Sequence, residues 1–324
     1  MYRKIMVPTD GSGFDRKAIL VALRVAERCE GKILLVRVLT AGAYLGIEAA
    51  SDGKVSANTL GPSRMAALTE LNALAAECRK ISNAEVSVEL EEGPAADVLA
   101  TYAKRNEIDL IVISSHGRRG IARLSLGSVT DSLIRSTTIP VLVVKPNPSY
   151  LAPDASQEFH RIIVPLDGSS RAERILSVIV PLARLESAEV TLLHVLAPLE
   201  DRYEDGDTRS LPWWKKKVAG ARAYLSRRAI HVRLQGVATK IDVVAGDKAA
   251  DAIADYARRE NADLIAIATH GRGGLTRVMR GSVADEVIKS ATCSLLVLHP
   301  EKAIDNSLSG ESIEGSRRET ATLA

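Results

Sequence analysis

Lys-Ile-Met-Val-Pro-Thr-Asp-Gly-Ser at positions 4 to 12 returns as Arg-Ile-Ile-Val-Pro-Leu-Asp-Gly-Ser at 161 to 169, and this repetition decides the architecture. A short apolar run closed by proline and followed by Asp-Gly-Ser reads as a buried strand that stops at a polar turn. Downstream, Ser-His-Gly-Arg-Arg-Gly at 115 to 120 returns as Thr-His-Gly-Arg-Gly-Gly at 269 to 274, and Leu-Gly-Ser-Val at 126 to 129 as Arg-Gly-Ser-Val at 280 to 283. Matched positions lie 157 apart at Asp10 and Asp167 and 154 apart at Gly127 and Gly281, so the second copy has lost a net three residues between these anchors. A chain of 324 residues also exceeds the size at which one core usually keeps growing. The reading is two copies of one domain, at 1–148 and 160–300, with a proline-bearing linker at 149–159 and a polar tail at 301–324 expected to be disordered.

Within the first copy, Ile5 to Val7 and Ile33 to Leu39 predict buried strands. Between them Ala18, Ala22, Val25 and Cys29 recur at helical spacing. A glycine-bearing stretch without period precedes a helix marked by Leu68, Leu71, Ala75 and Cys78. Then come a strand with Val86, Val88 and Leu90, a helix opened by Gly93-Pro94, a strand at Leu110 to Ile113, a helix carrying Val129, Leu133 and Ile134, and a fifth strand at Val141 to Val144. The second copy repeats the order with strands at Ile162 to Val164, Val190 to Val195, Leu264 to Ala268 and Leu295 to Leu298. Its third strand is either Val232 to Leu234 or Ile241 to Val244. Alternation of strand and helix predicts an open parallel α/β sheet in each copy.

Composition agrees. Apolar residues are 46% of the chain but aromatics only 3%, so the cores are built from Val, Ile, Leu and Ala, which suits covered parallel strands. A net charge of +3, from 43 basic and 40 acidic residues mixed along the chain, gives nucleic-acid binding no support. Three cysteines make no disulfide framework, no apolar run approaches the length of a membrane span, and Pro8 and Asp10 interrupt the one early apolar run. The expected location is therefore the cytoplasm. Trp213, Trp214 and Lys215 to Lys217 suggest an interfacial helix, but Trp214, Val218, Ala221 and Leu225 form a stripe that ordinary packing of the second helix already requires.

In an open parallel sheet ligands sit at the carboxyl ends of strands where the order reverses. Asp10 and Asp167 stand at such ends. Each can accept a hydrogen bond from a ribose or base donor, or cap its own turn. Gly127-Ser128 and Gly281-Ser282 each open a helix, where close backbone approach, a hydroxyl and the helix dipole suit phosphate; a structural turn is the other reading. Ser128 or Ser282 can cap its helix while donating a hydroxyl. No Gly-Lys-Ser or Gly-Lys-Thr occurs, so the P-loop is excluded. His116 and His270 have no sequence-fixed nucleophile or metal partner and are not assigned catalysis. Arg118, Arg119, Arg123, Arg272, Arg277 and Arg280 either strengthen phosphate binding or solvate a loop. His194, Cys29 and Cys293 fall on core elements and receive no chemistry.

With Val-Pro-Thr-Asp-Gly-Ser at 7 to 12, Ser-His-Gly-Arg-Arg-Gly at 115 to 120, Leu-Gly-Ser-Val at 126 to 129 and their second-copy counterparts, residues 1 to about 300 resemble a tandem universal stress protein. The resemblance implies two open, parallel, five-stranded α/β sandwiches of the adenine-nucleotide alpha-hydrolase-like kind. It also implies a nucleotide-binding signature of Gly, two residues, Gly, nine residues, then Gly and Ser or Thr. Both copies match from the second glycine; the first is Ser114 in one and Ala268 in the other. By resemblance, Asp10 and Val38 hold adenosine, Ile113 borders it, and Gly117, Gly127 and Ser128 cradle phosphates beside Val129. In the second copy these roles pass to Asp167, Val195, Ile267, Gly271, Gly281, Ser282 and Val283.

The function implied is ATP binding, with Mg2+, in stress response or signalling, acting through nucleotide-dependent conformation or partner binding, with at most slow hydrolysis. No catalytic residue and no protein metal site is assigned. The alternatives are a nucleotide-free structural or chaperone-like module and a nucleotide-dependent transferase. The copies are expected to pack as an internal pseudo-dimer through Val141 to Val144 and Leu295 to Leu298, with further homo-dimerisation open.

Overall fold

A computed structural model describes residues 2–40, 57–115, 126–145, 158–198, 210–269 and 283–299. The first half runs β1 (Lys4–Pro8), α1 (Arg16–Cys29), β2 (Lys32–Leu39), α2 (Ala57–Ile81), β3 (Glu85–Glu92), α3 (Ala95–Arg105), β4 (Leu110–Ser114), α4 (Ser128–Ser136) and β5 (Val141–Val144). The second runs β6 (Arg161–Pro165), α5 (Ser170–Glu173), α6 (Ile175–Leu185), β7 (Glu189–Leu196), α7 (Ser210–Leu234), β8 (Ala238–Ala245), α8 (Ala249–Arg259), β9 (Leu264–Ala268), α9 (Val283–Ser290) and β10 (Ser294–Leu298).

All ten strands join one sheet in the order β3-β2-β1-β4-β5-β10-β9-β6-β7-β8. Pairing is parallel inside each half and antiparallel at the seam, where Val143, Leu142 and Val141 face Leu295, Leu296 and Val297. The central strands are apolar on both faces because helices cover both. Ile5, Val7, Ile33 and Leu35 pack with α1 and α2 through Ala22, Val25, Leu71 and Ala75. The alternate residues Met6, Val36 and Ile113 pack with α3 and α4 through Leu99, Tyr102, Leu133 and Ile134.

The duplication extends to details of backbone and charge. Glu30 and Ser187 take left-handed φ of 51° and 52° at the ends of α1 and α6, and Glu107 and Asn261 take 53° and 50° just past α3 and α8. Asp109 accepts from the amides of Arg3 and Lys4, and Asp263 from those of His160 and Arg161, tying the start of the first strand to the start of the fourth in each half.

Two features differ from the reading of the sequence. The third strand of the second half is β8, and Val232 to Leu234 belong to α7, where Leu225, Ala229 and Val232 follow one buried helical stripe. The helix marked by Leu68 begins earlier, at Ala57, ahead of Gly61-Pro62. The linker from 149 to 157 and the tail from 301 lie outside the described residues.

The halves also meet off the sheet. Arg24 and Arg28 of α1 approach Glu186 at 3.2 and 3.3 Å, and the Arg24 guanidinium lies 5.6 Å from the Phe159 ring centre. Tyr2 donates to the carbonyl of Val178. On the other face Arg135 of α4 reaches Asp285 of α9 at 3.2 Å.

Candidate functional site

The order of strands reverses between β1 and β4 in the first half and between β6 and β9 in the second. Connections leave opposite faces there, so a crevice opens at the carboxyl edge. The register Pro8↔Val36 continues through the bond from Thr9 N–H to the Val36 carbonyl, at 2.9 Å, which brings Asp10 level with Val38. The bond from Leu166 N–H to the Leu193 carbonyl, at 2.8 Å, does the same for Asp167 and Val195.

After β4 the chain returns to where it left. Ser115 N–H donates to Val144 at 3.1 Å, Gly127 N–H donates to the Ser115 carbonyl at 2.9 Å, and the Thr130 hydroxyl donates to the Ser114 carbonyl at 3.2 Å. The start of α4 is thereby fastened to the end of β4, beside Ile113. Gly127 is the N-cap, with φ −60° and ψ 148°, and Ser128 is the first helical residue, exposed to solvent. This corrects the reading in which Ser128 caps the helix. The cap is a glycine without a side chain, so the amides of the first turn are left to other partners, an arrangement suited to an anion. Val129 is exposed beside it.

In the second half Ile267 stands on β9, and α9 begins at Val283. Gly117, Gly271, Gly281 and Ser282, with His116, His270 and the arginines from Arg118 to Arg123 and Arg272 to Arg280, lie outside the described residues.

Both aspartates work in their own turns. Asp10 accepts from Ser12 N–H and Asp167 from Ser169 N–H, each at 2.8 Å, while Ser169 accepts from Ala172 N–H and caps α5. The two turns are otherwise pinned differently. In the first half the buried Thr9 hydroxyl donates to buried Asp15, where the second half has Leu166 and Ala172.

The sequence reading missed a second difference. Arg37 of β2 is buried and pairs with Glu70 of α2 at 2.7 Å; its counterparts are His194 of β7 and Tyr224 of α7, whose rings meet edge-on at 6.2 Å. The signal was present, since Arg37 interrupts an apolar strand. At the end of β9, His299 Nδ1 lies 2.9 Å from the Thr269 hydroxyl, and burial together with Arg171 lowers its pKa, which favours the neutral ring. Trp214 is half-buried, whereas Trp213 stays exposed under the Lys217 ammonium, 5.2 Å from its ring centre. Among the described residues no helix is long and apolar enough to cross a membrane.

The profile of the universal stress protein family matches residues 1–145 and again 158–299. A universal stress protein of Methanocaldococcus jannaschii is 29% identical over 145 residues, covering 45% of this chain and 83% of that one. Another from Mycolicibacterium smegmatis is 24% identical over 304 residues, covering 91% of this chain and 97% of its own length. The crystal structure of a universal stress protein from Archaeoglobus fulgidus superimposes with a TM-score of 0.63 at 19% identity, covering 92% of this chain and 99% of that one, and so shares its fold. Two matched segments joined in one continuous sheet make this chain a tandem member of the universal stress protein family.

Proposed function

We propose that the chain binds an adenine nucleotide at the carboxyl edge of each half and acts in stress response through nucleotide-dependent conformation or partner choice. The observation that carries this reading is the fastening of Gly127 to Ser115, which sets a helix start with a glycine cap beside the crevice between β1 and β4. In this reading Asp10, just past β1, and Val38 of β2 hold the nucleoside, with Ile113 along one side. The amides from Ser128 onward, the Ser128 hydroxyl and Val129 then meet the phosphates, with Gly127 as the cap that lets them approach. Asp167, Val195, Ile267 and Val283 repeat the arrangement, and Gly117, Gly271, Gly281 and Ser282 complete it on the family pattern. ATP with Mg2+ is the form proposed. Among the described residues no three His, Cys, Asp or Glu side chains gather as a metal cluster. The ion in this reading is therefore held chiefly by phosphate oxygens and water, as Mg2+ commonly is. The proposed setting is the cytoplasm, with any hydrolysis slow.

Calorimetric titration with ATP, ADP and AMP, with and without Mg2+, tests the reading. Saturable binding with up to two sites per chain supports it, and no heat with any of the three removes it. A nucleotide-free module is the second reading, favoured by the engagement of both aspartates in their own turns. An acid extract of protein purified without added ligand separates the two, since it carries adenine absorbance only in the first case.

A further inference from the structure

The second half holds a cleft at the place that the first half fills. His194 and Leu196 of β7 and Trp213, Lys216, Lys217 and Tyr224 of α7 line a space of about 530 Å³. Gly168 also lines it, so the cleft adjoins the turn that carries Asp167 but lies on the other face of the sheet from Val195. His194 and Leu196 alternate with Val195 along the strand and therefore point to the opposite face of the sheet.

In the first half the Arg37–Glu70 pair occupies this place. Arg37 presses so closely on Gly11 that a Cβ there would sit 2.3 Å from Nη2. In the second half a Cβ at Gly168, the counterpart of Gly11, or at Gly220, in the interior of α7, meets nothing within 4 Å. A glycine inside a helix is unfavourable relative to alanine, so Gly220 keeps this space clear at some expense of stability.

The chemistry of the walls is mixed in a particular way. Leu196, Ala221 and the Tyr224 ring are apolar, and Trp213, 53% exposed, stands at the mouth with the Lys217 ammonium over it and Lys216 beside it. The nearby Glu173 is paired with Arg228 at 2.7 Å and also meets the Tyr224 hydroxyl, and the Asp167 carboxylate accepts from Ser169 N–H, so each acid has a partner within the protein. His194 Nδ1 lies 2.6 Å from the Leu166 carbonyl, which can only accept; Nδ1 therefore carries the proton, and in the neutral ring Nε2 is an acceptor.

We propose that this cleft is a second ligand site, for a small aromatic carboxylate whose ring lies against Tyr224 and Trp213 and whose anionic group meets Lys216 and Lys217. The test uses the full chain with 1-naphthoate as probe and 1-naphthalenemethanol as its neutral twin, followed by calorimetry and by tryptophan emission, to which Trp213 and Trp214 alone contribute. One saturable site per chain is expected, with the neutral twin weaker by about fivefold or more. Gly220→Leu, which fills the space, and the pair His194→Arg with Tyr224→Glu, which rebuilds the plug of the first half, should each abolish probe binding. ATP titrations of these variants should match the parent, so failure here is distinguishable from failure of the nucleotide reading. Absence of saturable binding at millimolar probe, binding unchanged in folded Gly220→Leu, or displacement of the probe by ATP would each overturn the assignment.

Discussion

Arg24 and Glu186 face one another at 3.2 Å across the junction of the two halves, with side-chain exposures of 10% and 0%. They have no mirror-image partners, because the repeat places Pro181 opposite Arg24 in alignment and Cys29 opposite Glu186. Burial lowers the Arg24 pKa against the pull of Glu186, so the charge is kept at an energetic cost and each residue depends on the other. Arg24→Ala should destabilise the chain by about 3 kcal/mol, the low end of the range for breaking a buried pair, since Arg28 remains 3.3 Å from Glu186. Arg24→Leu with Glu186→Leu should recover most of that loss. Urea unfolding of the two variants decides; equal losses would show that the pair contributes packing rather than charge.

Gly127→Glu should abolish nucleotide binding in the first half while leaving the fold intact. The backbone there, at φ −60°, accepts any side chain, so the substitution adds a carboxylate to the proposed phosphate position without strain. Gly281→Glu is expected to do the same in the second half. Calorimetric stoichiometry should fall by one site in each, and an unchanged stoichiometry in both removes the phosphate assignment.

Asp10→Ala and Asp167→Ala should weaken ATP and adenosine alike, by roughly 1–3 kcal/mol, if each carboxylate bonds the nucleoside. Loss of the turn bonds to Ser12 and Ser169 should also cost about 1 kcal/mol of stability. Weakening confined to the triphosphate would move these residues to the phosphate end of the ligand.

Val143 is an internal residue of the sheet, paired with Ile113 on one side and Leu295 on the other. Val143→Pro removes a ladder donor and should cost about 3 kcal/mol or more, whereas Val143→Ala should cost the smaller sum of lost burial and cavity. Amide exchange at Val141 to Val144 should be among the slowest in the chain; rapid exchange there would mean that the seam opens in solution.

Burial pushes the Cys293 thiol up to about 11. Between its ordinary value, 9.0, and about 11 the unfolded chain has released this proton and the folded chain has not, so stability falls as pH rises through that window. The loss should be on the order of 2–3 kcal/mol and should shrink in Cys293→Ala. Unfolding at pH 8 and pH 10 measures it, and iodoacetamide at pH 8 should label Cys293 more slowly in the folded chain than after denaturation.

Much of this was legible beforehand because it is periodic or repeated. Val141 to Val144 and Leu264 to Ala268 have the bounds that their apolar runs predicted, since strands covered on both faces carry the plainest signal. The third strand of the second half was ambiguous because Val232 belongs to a helical stripe whose members Leu225 and Ala229 also suit a strand locally. Ser128 was misplaced by one position at the helix start, where the boundary depends on the return bond from Gly127 to Ser115, and sequence spacing does not encode that bond. The meaning of Arg37 and Tyr224 lies in comparison of the halves, which the sequence pattern of either half alone does not supply. Each looks like an ordinary residue until its counterpart, His194 or Glu70, is set beside it.

The antiparallel seam between β5 and β10 has a consequence for how two ligands are read. Parallel strands in each half and reversal at the join make the carboxyl edges of the halves face opposite margins of the molecule. Two nucleotides bound there would look outward in contrary directions, out of reach of a shared phosphate chain or a single small effector. A protein sensing both must span the molecule, while one sensing either meets a face on which the other is hidden. Any influence of one occupant on the other has to cross the junction of the halves, through the six residues of the seam, Val141 to Val143 and Leu295 to Val297, or through the flanking contacts of Arg24 with Glu186 and Arg135 with Asp285.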